Sequence, residues 1–239
     1  MALVLQPLDL AALGLFLVAW LFYEPFITWL GRRGRLINTD MTVIRTAWMR
    51  NMAGRANRFM DGQLLGQALN STSFFTSSNL ILIAAIGGAL FGGERTFRSA
   101  SSLALVQTSS RALFEAQLAL VLVCLARGLL DLIWTIRQLN YCIAAVGAVP
   151  VEVAETDQRL YGDVTARLLN PALSSFNKGV RAYYFALAAA AWLFGAPAFL
   201  LATVGAVALL LWRQRASPTA KAVADLRRLL ERDQDRPSS

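Results

Sequence analysis

The sequence predicts an all-α protein: a polytopic membrane helix bundle with about five spans and additional cytoplasmic amphipathic helices. Three observations lead to this fold class. Of the 239 residues, 56% are hydrophobic and only 16% are charged, which is far more apolar than an average soluble domain. Several apolar runs reach the roughly 20 residues that a helix needs to cross a bilayer. The basic residues flank these runs, as they do in membrane proteins whose orientation is set by positively charged loops.

Five apolar runs are the predicted spans of a membrane domain that covers residues 1–215. The runs lie at about 8–30, 70–91, 112–136, 177–195 and 197–215. The third helix is predicted to continue into the cytoplasm as far as residue 147, because its helical pattern persists until Pro150 stops it. The last two runs are predicted to form a tight hairpin, because Gly195 and Pro197 lie between them.

Five spans place the N-terminus outside and the C-terminus in the cytoplasm of a bacterial inner membrane. All the Arg-rich segments except the one between the second and third runs then share the cytoplasmic side. A four-span arrangement is the alternative, but it would put the seven bases between positions 213 and 236 on the opposite side. Residues 216–239 are predicted to be a charged cytoplasmic tail, with a short helix followed by a disordered end.

Two amphipathic helices are predicted outside the spans. In residues 38–62, Met, Ile, Trp and Phe recur at steps of three and four while the arginines lie off that stripe. Such a helix suits the surface of an anionic leaflet, although its apolar face could equally pack on the protein's own spans. The polar segment after Pro150 is predicted to be one helix that ends around Asn170 and Pro171. Its acidic residues could dock against the basic helix.

Composition argues against several functional classes. The chain contains no histidine, which removes histidine-based catalysis, histidine-ligated haem and most zinc or copper sites. Cys124 and Cys142 lie 18 residues apart on one predicted helix, about 27 Å, so we expect free thiols. No phosphate-binding loop, metal-ligand spacing or nucleophile elbow occurs. We therefore expect no enzymatic activity, no metal and no cofactor. The net charge of +8 lacks the free basic face of a nucleic-acid binder, so no nucleic-acid partner is expected.

Polar residues interrupt the second and third apolar runs. In the third run they fall on one face roughly 100° wide, and they include Arg127 and Asp131, which are close enough to form an ion pair. A charge inside a span costs roughly 2.5–3.5 kcal/mol, so it is a candidate functional group. The predicted polar membrane seam consists of Asn70, Thr72, Thr76, Asn79, Gln117, Arg127, Asp131, Thr135 and Gln138.

A second candidate cluster is predicted where the third helix leaves the bilayer. There the helix is polar nearly all round, so it must be buried among polar partners or face water. The predicted cytoplasmic vestibule cluster consists of Arg137, Asn140, Tyr141, Arg181, Tyr183 and Tyr184. Glu24, in the aromatic belt at the end of the first run, is either an interfacial anchor or the partner of a nearby arginine.

Three stretches of the chain resemble a known family. These are residues 134–142 (WTIRQLNYC) with the closing 147–150 (GAVP), residues 70–75 (NSTSFF) and residues 181–185 (RAYYF). They are similar to bacterial and plant membrane proteins catalogued as domain of unknown function number 599. The resemblance extends to about residue 215 and implies a multi-span membrane fold. It implies no activity, and it identifies no catalytic or binding residue.

Two functions remain open on the sequence alone. The first is an oligomeric channel- or transporter-like protein with a polar path lined by the second and third spans. The alternative is a non-catalytic structural or accessory protein, in which the same polar faces join helices. The expected partners are membrane lipids, with anionic head groups at residues 38–62, and a second copy of the chain or another membrane protein. A wetted seam would favour the first function, and a packed, dry seam would favour the second.

Overall fold

The computed structural model describes residues 6–33, 36–103, 107 and 110–234. This part of the chain is helical and contains no strand, so the predicted all-α class is confirmed. A short 3-10 helix, η1, lies at Ala191–Phe194. The α-helices are α1 Pro7–Arg33, α2 Ile37–Ala53, α3 Phe59–Phe91, α4 Gly93–Ser101, α5 Arg111–Ala148, α6 Glu155–Ala190, α7 Ala196–Arg215 and α8 Pro218–Gln234.

Four stretches of the described residues are long and apolar enough to cross a membrane. They are Pro7–Gly31, Phe59–Phe91, Arg111–Ala148 and Ala196–Arg232. The membrane-bundle prediction is confirmed by these helices. The predicted span at 177–195 is not among the four, because it consists of the end of α6 followed by η1.

Two predicted helix boundaries are wrong. The segment 38–62 is not one helix, because α2 ends at Ala53 and α3 begins at Phe59. The backbone N–H of Phe59 donates to Asn57 Oδ1 at 2.9 Å, a side-chain contact that starts the new helix well before the predicted second span.

The predicted helix end at Pro171 is the other error. Helix α6 continues through Pro171, which removes one backbone donor from the helix interior. The neighbouring Leu169 and Ala172 are fully buried, so packing offsets this loss. The chain breaks between η1 and α7 at Gly195, which has a φ of 96°, a conformation that residues other than glycine rarely adopt. The predicted hairpin of two spans at this break stays a prediction.

The chain forms two compact units. Unit 1 consists of Met1–Thr28, Phe75–Leu130 and Lys178–Leu210, and unit 2 consists of Trp29–Phe74, Asp131–Asn177 and Leu211–Ser239. The core of unit 1 is partly aromatic. The centroid of the Phe199 ring lies 5.1 Å from that of Phe16 and 5.1 Å from that of Trp192. The Trp192 and Phe199 rings are stacked.

In unit 2, helix α2 packs antiparallel to α6. Three side-chain contacts show the direction, because the residue numbers rise along α2 while they fall along α6. The contacts are Asn38–Asn177 at 3.3 Å, Thr46–Asn170 at 3.3 Å and Arg50–Asp163 at 2.6 Å. The last of these is an ion pair, so the expected acidic–basic docking between the two helices is confirmed.

Arg58 fixes the ends of two helices in unit 2. Its guanidinium donates to the carbonyls of Met52 and Ala53 at the end of α2, each at 3.2 Å. It also donates to the carbonyls of Val149 and Pro150, which directly follow α5. The last carbonyls of a helix lack intrahelical partners and carry partial negative charge. Arg58 therefore supplies hydrogen-bond donors at the C-terminal ends of both α2 and α5.

The α2–α6 contact leads to a stability prediction. A methyl group at Gly162 would lie 2.4 Å from Arg50 Cα, a backbone atom that cannot rotate aside. Gly162→Ala should therefore lower the free energy of unfolding by about 1–3 kcal/mol in a detergent-solubilised thermal or denaturant titration. Gly147→Ala is the matched control, because nothing lies within 4 Å of its added methyl group. Equal stability of the two variants would contradict the close packing of α2 and α6.

Candidate functional site

The amides of the predicted seam hold helices together inside unit 1. Asn79 and Gln117 are each 1% exposed. Asn79 Nδ2 on α3 donates to the Leu125 carbonyl on α5 at 3.0 Å. Gln117 Nε2 on α5 donates to the Trp192 carbonyl in η1 at 3.0 Å. Each amide therefore bonds to the backbone of another helix in a buried position.

Asn79 lies beside a close approach of α5 and α6 in unit 1. A methyl group at Gly128 on α5 would be 2.6 Å from Ala182 Cβ and 3.2 Å from the Gly179 carbonyl, both on α6. It would also be 3.6 Å from Asn79 Nδ2. Small residues let helix backbones approach in a membrane, and the amide then supplies a hydrogen bond where no water enters.

The seam threonines in unit 2 bond within their own helices. Thr72 Oγ1 donates to the Ala68 carbonyl, and Thr135 Oγ1 donates to the Asp131 carbonyl, both at 2.8 Å. Both threonines are buried. Their hydroxyl groups are thus satisfied locally, and their side chains contribute packing rather than a polar lining.

The remaining seam residues are more exposed. Asn70 and Arg127 are exposed, while Thr76, Asp131 and Gln138 are half-buried. Arg127, Asp131 and Thr76 each take part in interactions with other residues. The specific Arg127–Asp131 ion pair stays a prediction.

The predicted vestibule residues belong to two units. In unit 2, Arg137, Asn140 and Tyr141 are exposed on the C-terminal part of α5. In unit 1, Tyr183 Oη donates to the Phe75 carbonyl at 2.8 Å, and Tyr184 is half-buried and engaged by a neighbour. Tyr183 thus has its partner within unit 1.

Arg181 belongs to a charged cluster in unit 1. Its guanidinium forms an ion pair with the Glu24 carboxylate and lies 5.5 Å from the centroid of the Tyr23 ring. Lys178 Nζ reaches the other oxygen of Glu24 at 3.6 Å. From the sequence, Glu24 was either an interfacial anchor or the partner of a nearby arginine; in the structure its arginine partner is Arg181, 157 residues away along the chain.

The sequence reasoning missed one buried polar network in unit 1. Asp9 Oδ1 accepts from Trp192 Nε1 at 2.8 Å, and Asp9 Oδ2 accepts from the Gln6 backbone N–H at 3.2 Å. Together with the Gln117 bond to the Trp192 carbonyl, this network joins α1, α5 and η1. An acid in the first turn of α1 was the available signal, because helix N-termini favour negative charge. Its tryptophan partner is 183 residues away.

Two buried carboxylates in unit 2 neutralise arginines. Asp40 Oδ1 accepts from Arg227 at 2.7 Å. Asp61 Oδ1 accepts from Trp48 Nε1 at 2.7 Å and from Arg55 at 2.5 Å. With Arg50 and Arg58 also bound to protein groups, most arginines between positions 45 and 58 act inside the protein. In the described ranges, no three His, Cys, Asp or Glu side chains are grouped as a metal site.

The charged cluster in unit 1 yields a second prediction. Arg181 and Lys178 share the Glu24 carboxylate, but their side chains are 10% and 38% exposed. Arg181→Met should lower the free energy of unfolding by about 1–3 kcal/mol, because it removes a buried charge-assisted hydrogen bond. Lys178→Met should cost less than about 1 kcal/mol, as solvent screens its pairing. Thermal unfolding of both variants in detergent measures this difference; a larger loss for Lys178→Met would contradict the assignment.

Comparison with known proteins identifies the family. No curated protein and no solved structure matches the chain. One family matches residues 11–219, and its description is "Protein of unknown function, DUF599". The match covers most of α1 and all of the helices from α2 to α7, including residues 70–75, 134–142, 147–150 and 181–185. The chain therefore belongs to the DUF599 family.

Proposed function

We propose that the protein is a non-catalytic structural or accessory membrane protein whose basic unit 2 associates with anionic lipid or with a membrane-protein partner. The observation that carries this proposal is the state of the two seam amides in unit 1. Asn79 and Gln117 are buried and donate to backbone carbonyls of neighbouring helices. Such groups join helices and do not face a solute.

The physics of the bilayer favours this role for the amides. An unpaired polar group costs free energy in an apolar environment, while an interhelical hydrogen bond in a membrane protein contributes about 0.6 kcal/mol on average. A permeation path needs polar groups that bind a passing solute and release it. An amide donor already committed to a carbonyl, in a position that is 1% exposed, does not offer this.

The charge of unit 2 supports the lipid part of the proposal. Its three stretches contain 17 of the 23 Lys and Arg residues and 11 of the 15 Asp and Glu residues, an excess of positive charge. With the N-terminus outside and the C-terminus in the cytoplasm of a bacterial inner membrane, this charge would meet the anionic leaflet. Each base near such a surface contributes about 1 kcal/mol of attraction.

A homo-oligomeric channel or transporter is the second candidate function. One observation favours it: Arg137, Asn140 and Tyr141 lie exposed on the C-terminal part of α5 in unit 2. A polar, exposed helix surface of this kind could line a path once several copies assemble. The same surface could equally contact a different membrane protein.

A flux assay on reconstituted full-length protein separates the two functions. We expect ion and small-solute flux at the level of empty vesicles, while native mass measurement reports the oligomeric state. Asn79→Ala should lower the melting temperature without creating or abolishing flux, because it removes a helix-joining bond. Asn70→Ala on the same helix is the matched control, since Asn70 is exposed. Solute flux that Asn79→Ala changes, with no change in melting temperature, would refute the structural role.

A further inference from the structure

Arg45 differs from the arginines around it in unit 2. Three others pair with carboxylates: Arg50 with Asp163, Arg55 with Asp61, and Arg227 with Asp40. Arg45 is half-buried, and in the described part of the chain its Nε has no hydrogen-bond partner. Burial lowers the pKa of Arg45 to about 10, and no carboxylate of the described residues raises it. A desolvated cation without a counter-charge is unfavourable, so an anion that binds beside it would stabilise the folded protein.

Three buried amide oxygens in unit 2 also lack hydrogen-bond partners among the described residues: Gln138 Oε1, Asn170 Oδ1 and Gln214 Oε1. The first two lie on α5 and α6. The orientation of the Asn170 amide is determined by its surroundings. Asn170 Nδ2 donates to Thr46 Oγ1 at 3.3 Å, and that hydroxyl donates to the Thr42 carbonyl at 2.8 Å. Asn170 Oδ1 is therefore a true acceptor, and it belongs to a residue that contacts the immediate neighbour of Arg45.

The packing of unit 2 brings Gln138 to the level of Arg45. Arg58 binds the carbonyls of Ala53 on α2 and Val149 after α5, so the two helices end side by side. Arg45 precedes Ala53 by eight residues, about 12 Å, and Gln138 precedes Val149 by eleven residues, about 16 Å. The two side chains thus lie within about one helical turn of each other along the helix axes.

The hydrophobic core supports this register. Met49 lies one turn after Arg45, and Cys142 lies one turn after Gln138, on the same faces of their helices. Both are fully buried members of one core cluster in unit 2. Leu169, the neighbour of Asn170, belongs to that cluster as well. The three polar residues therefore border the same core from three helices.

We propose that Arg45, Gln138 and Asn170 form a binding site for a phosphate ester that also carries hydroxyl groups, such as the glycerol phosphate head group of a lipid. A phosphate oxygen accepts from the guanidinium, as arginine–phosphate pairs commonly do. The hydroxyl groups of the same ligand donate to Gln138 Oε1 and Asn170 Oδ1. A simple anion such as chloride would satisfy the cation and leave both amide oxygens without a donor.

This site deepens the proposed function and rests on it, because it names the head group that unit 2 would select. Arg45 lies on α2, outside the four stretches that could span a membrane, and its side chain is partly exposed. A ligand can therefore reach it from the surface of unit 2. The same chemistry is available from a lipid head group and from a soluble glycerol phosphate.

Native mass spectrometry of the full-length protein tests the site. The protein is extracted from vesicles of phosphatidylcholine mixed with phosphatidylglycerol or with phosphatidylmethanol, an anionic lipid whose head group has no hydroxyl. A further sample in phosphatidylcholine alone receives soluble glycerol 3-phosphate. We expect retention of phosphatidylglycerol over phosphatidylmethanol; retention of soluble glycerol 3-phosphate instead identifies the soluble source. If the protein retains neither phosphatidylglycerol nor glycerol 3-phosphate, the proposal is overturned.

Arg45→Gln should weaken retention of the preferred ligand by about tenfold or more, since a charge-assisted hydrogen bond is lost. Arg159→Gln is the matched control, because it removes one positive charge from an exposed position of unit 2. Arg45→Gln should also unfold at a higher temperature than wild type in phosphatidylcholine, where the buried charge has no ligand. Arg45→Lys, which keeps the charge without the guanidinium fork, provides a folded variant if Arg45→Gln is unstable.

Equal loss of retention in Arg45→Gln and Arg159→Gln would overturn the site and indicate surface charge alone. Equal retention of the ligand in wild type and in both Arg45 variants would also overturn it. These results are independent of the flux assay. Solute flux through the wild-type protein would refute the structural role and leave the ligand measurement unaffected.

Discussion

The arrangement of unit 2 depends on one guanidinium. Arg58 donates to carbonyls at the end of α2 and to carbonyls that directly follow α5, so it sets where the two helices end relative to each other. Helix ends carry carbonyls without intrahelical partners, and a positive charge there also opposes the helix dipole. The register of Arg45 and Gln138 follows from this contact. The close approach of α2 and α6 at Gly162 then fixes the third helix of the site.

A second constraint operates in unit 1, where apolar helices contain polar groups that need partners. Asn79 and Gln117 find them in backbone carbonyls of other helices, and Asp9 finds one in the Trp192 indole. Asn79 does so where Gly128 allows α5 and α6 to approach. Polar residues within spans usually suggest function, but a buried group with a committed hydrogen bond is more simply explained as part of the packing.

The basic residues of unit 2 have two kinds of environment. Arg50, Arg55 and Arg227 face carboxylates of the same unit and contribute to folding. Arg45 is half-buried, and among the described residues it has no such partner; buried amide oxygens of Gln138 and Asn170 in the same unit also lack one. A high count of arginines therefore says little about ligand binding until each charge is assigned a partner. The proposed head-group site is the place in unit 2 where the described residues leave both a cation and acceptors unmatched.

The sequence by itself determined the helical class, the apolar runs, the helix break at Gly195 and the extent of α5, because composition and periodicity are local properties. It also marked Asn79 and Gln117 as residues on a polar face. Only the tertiary structure decided their partners, which lie 46 and 75 residues away along the chain. It likewise decided that Pro171 stays within α6, since burial of its neighbours outweighs one lost hydrogen bond. Periodicity shows which face of a helix is covered, whereas packing determines which helix covers it.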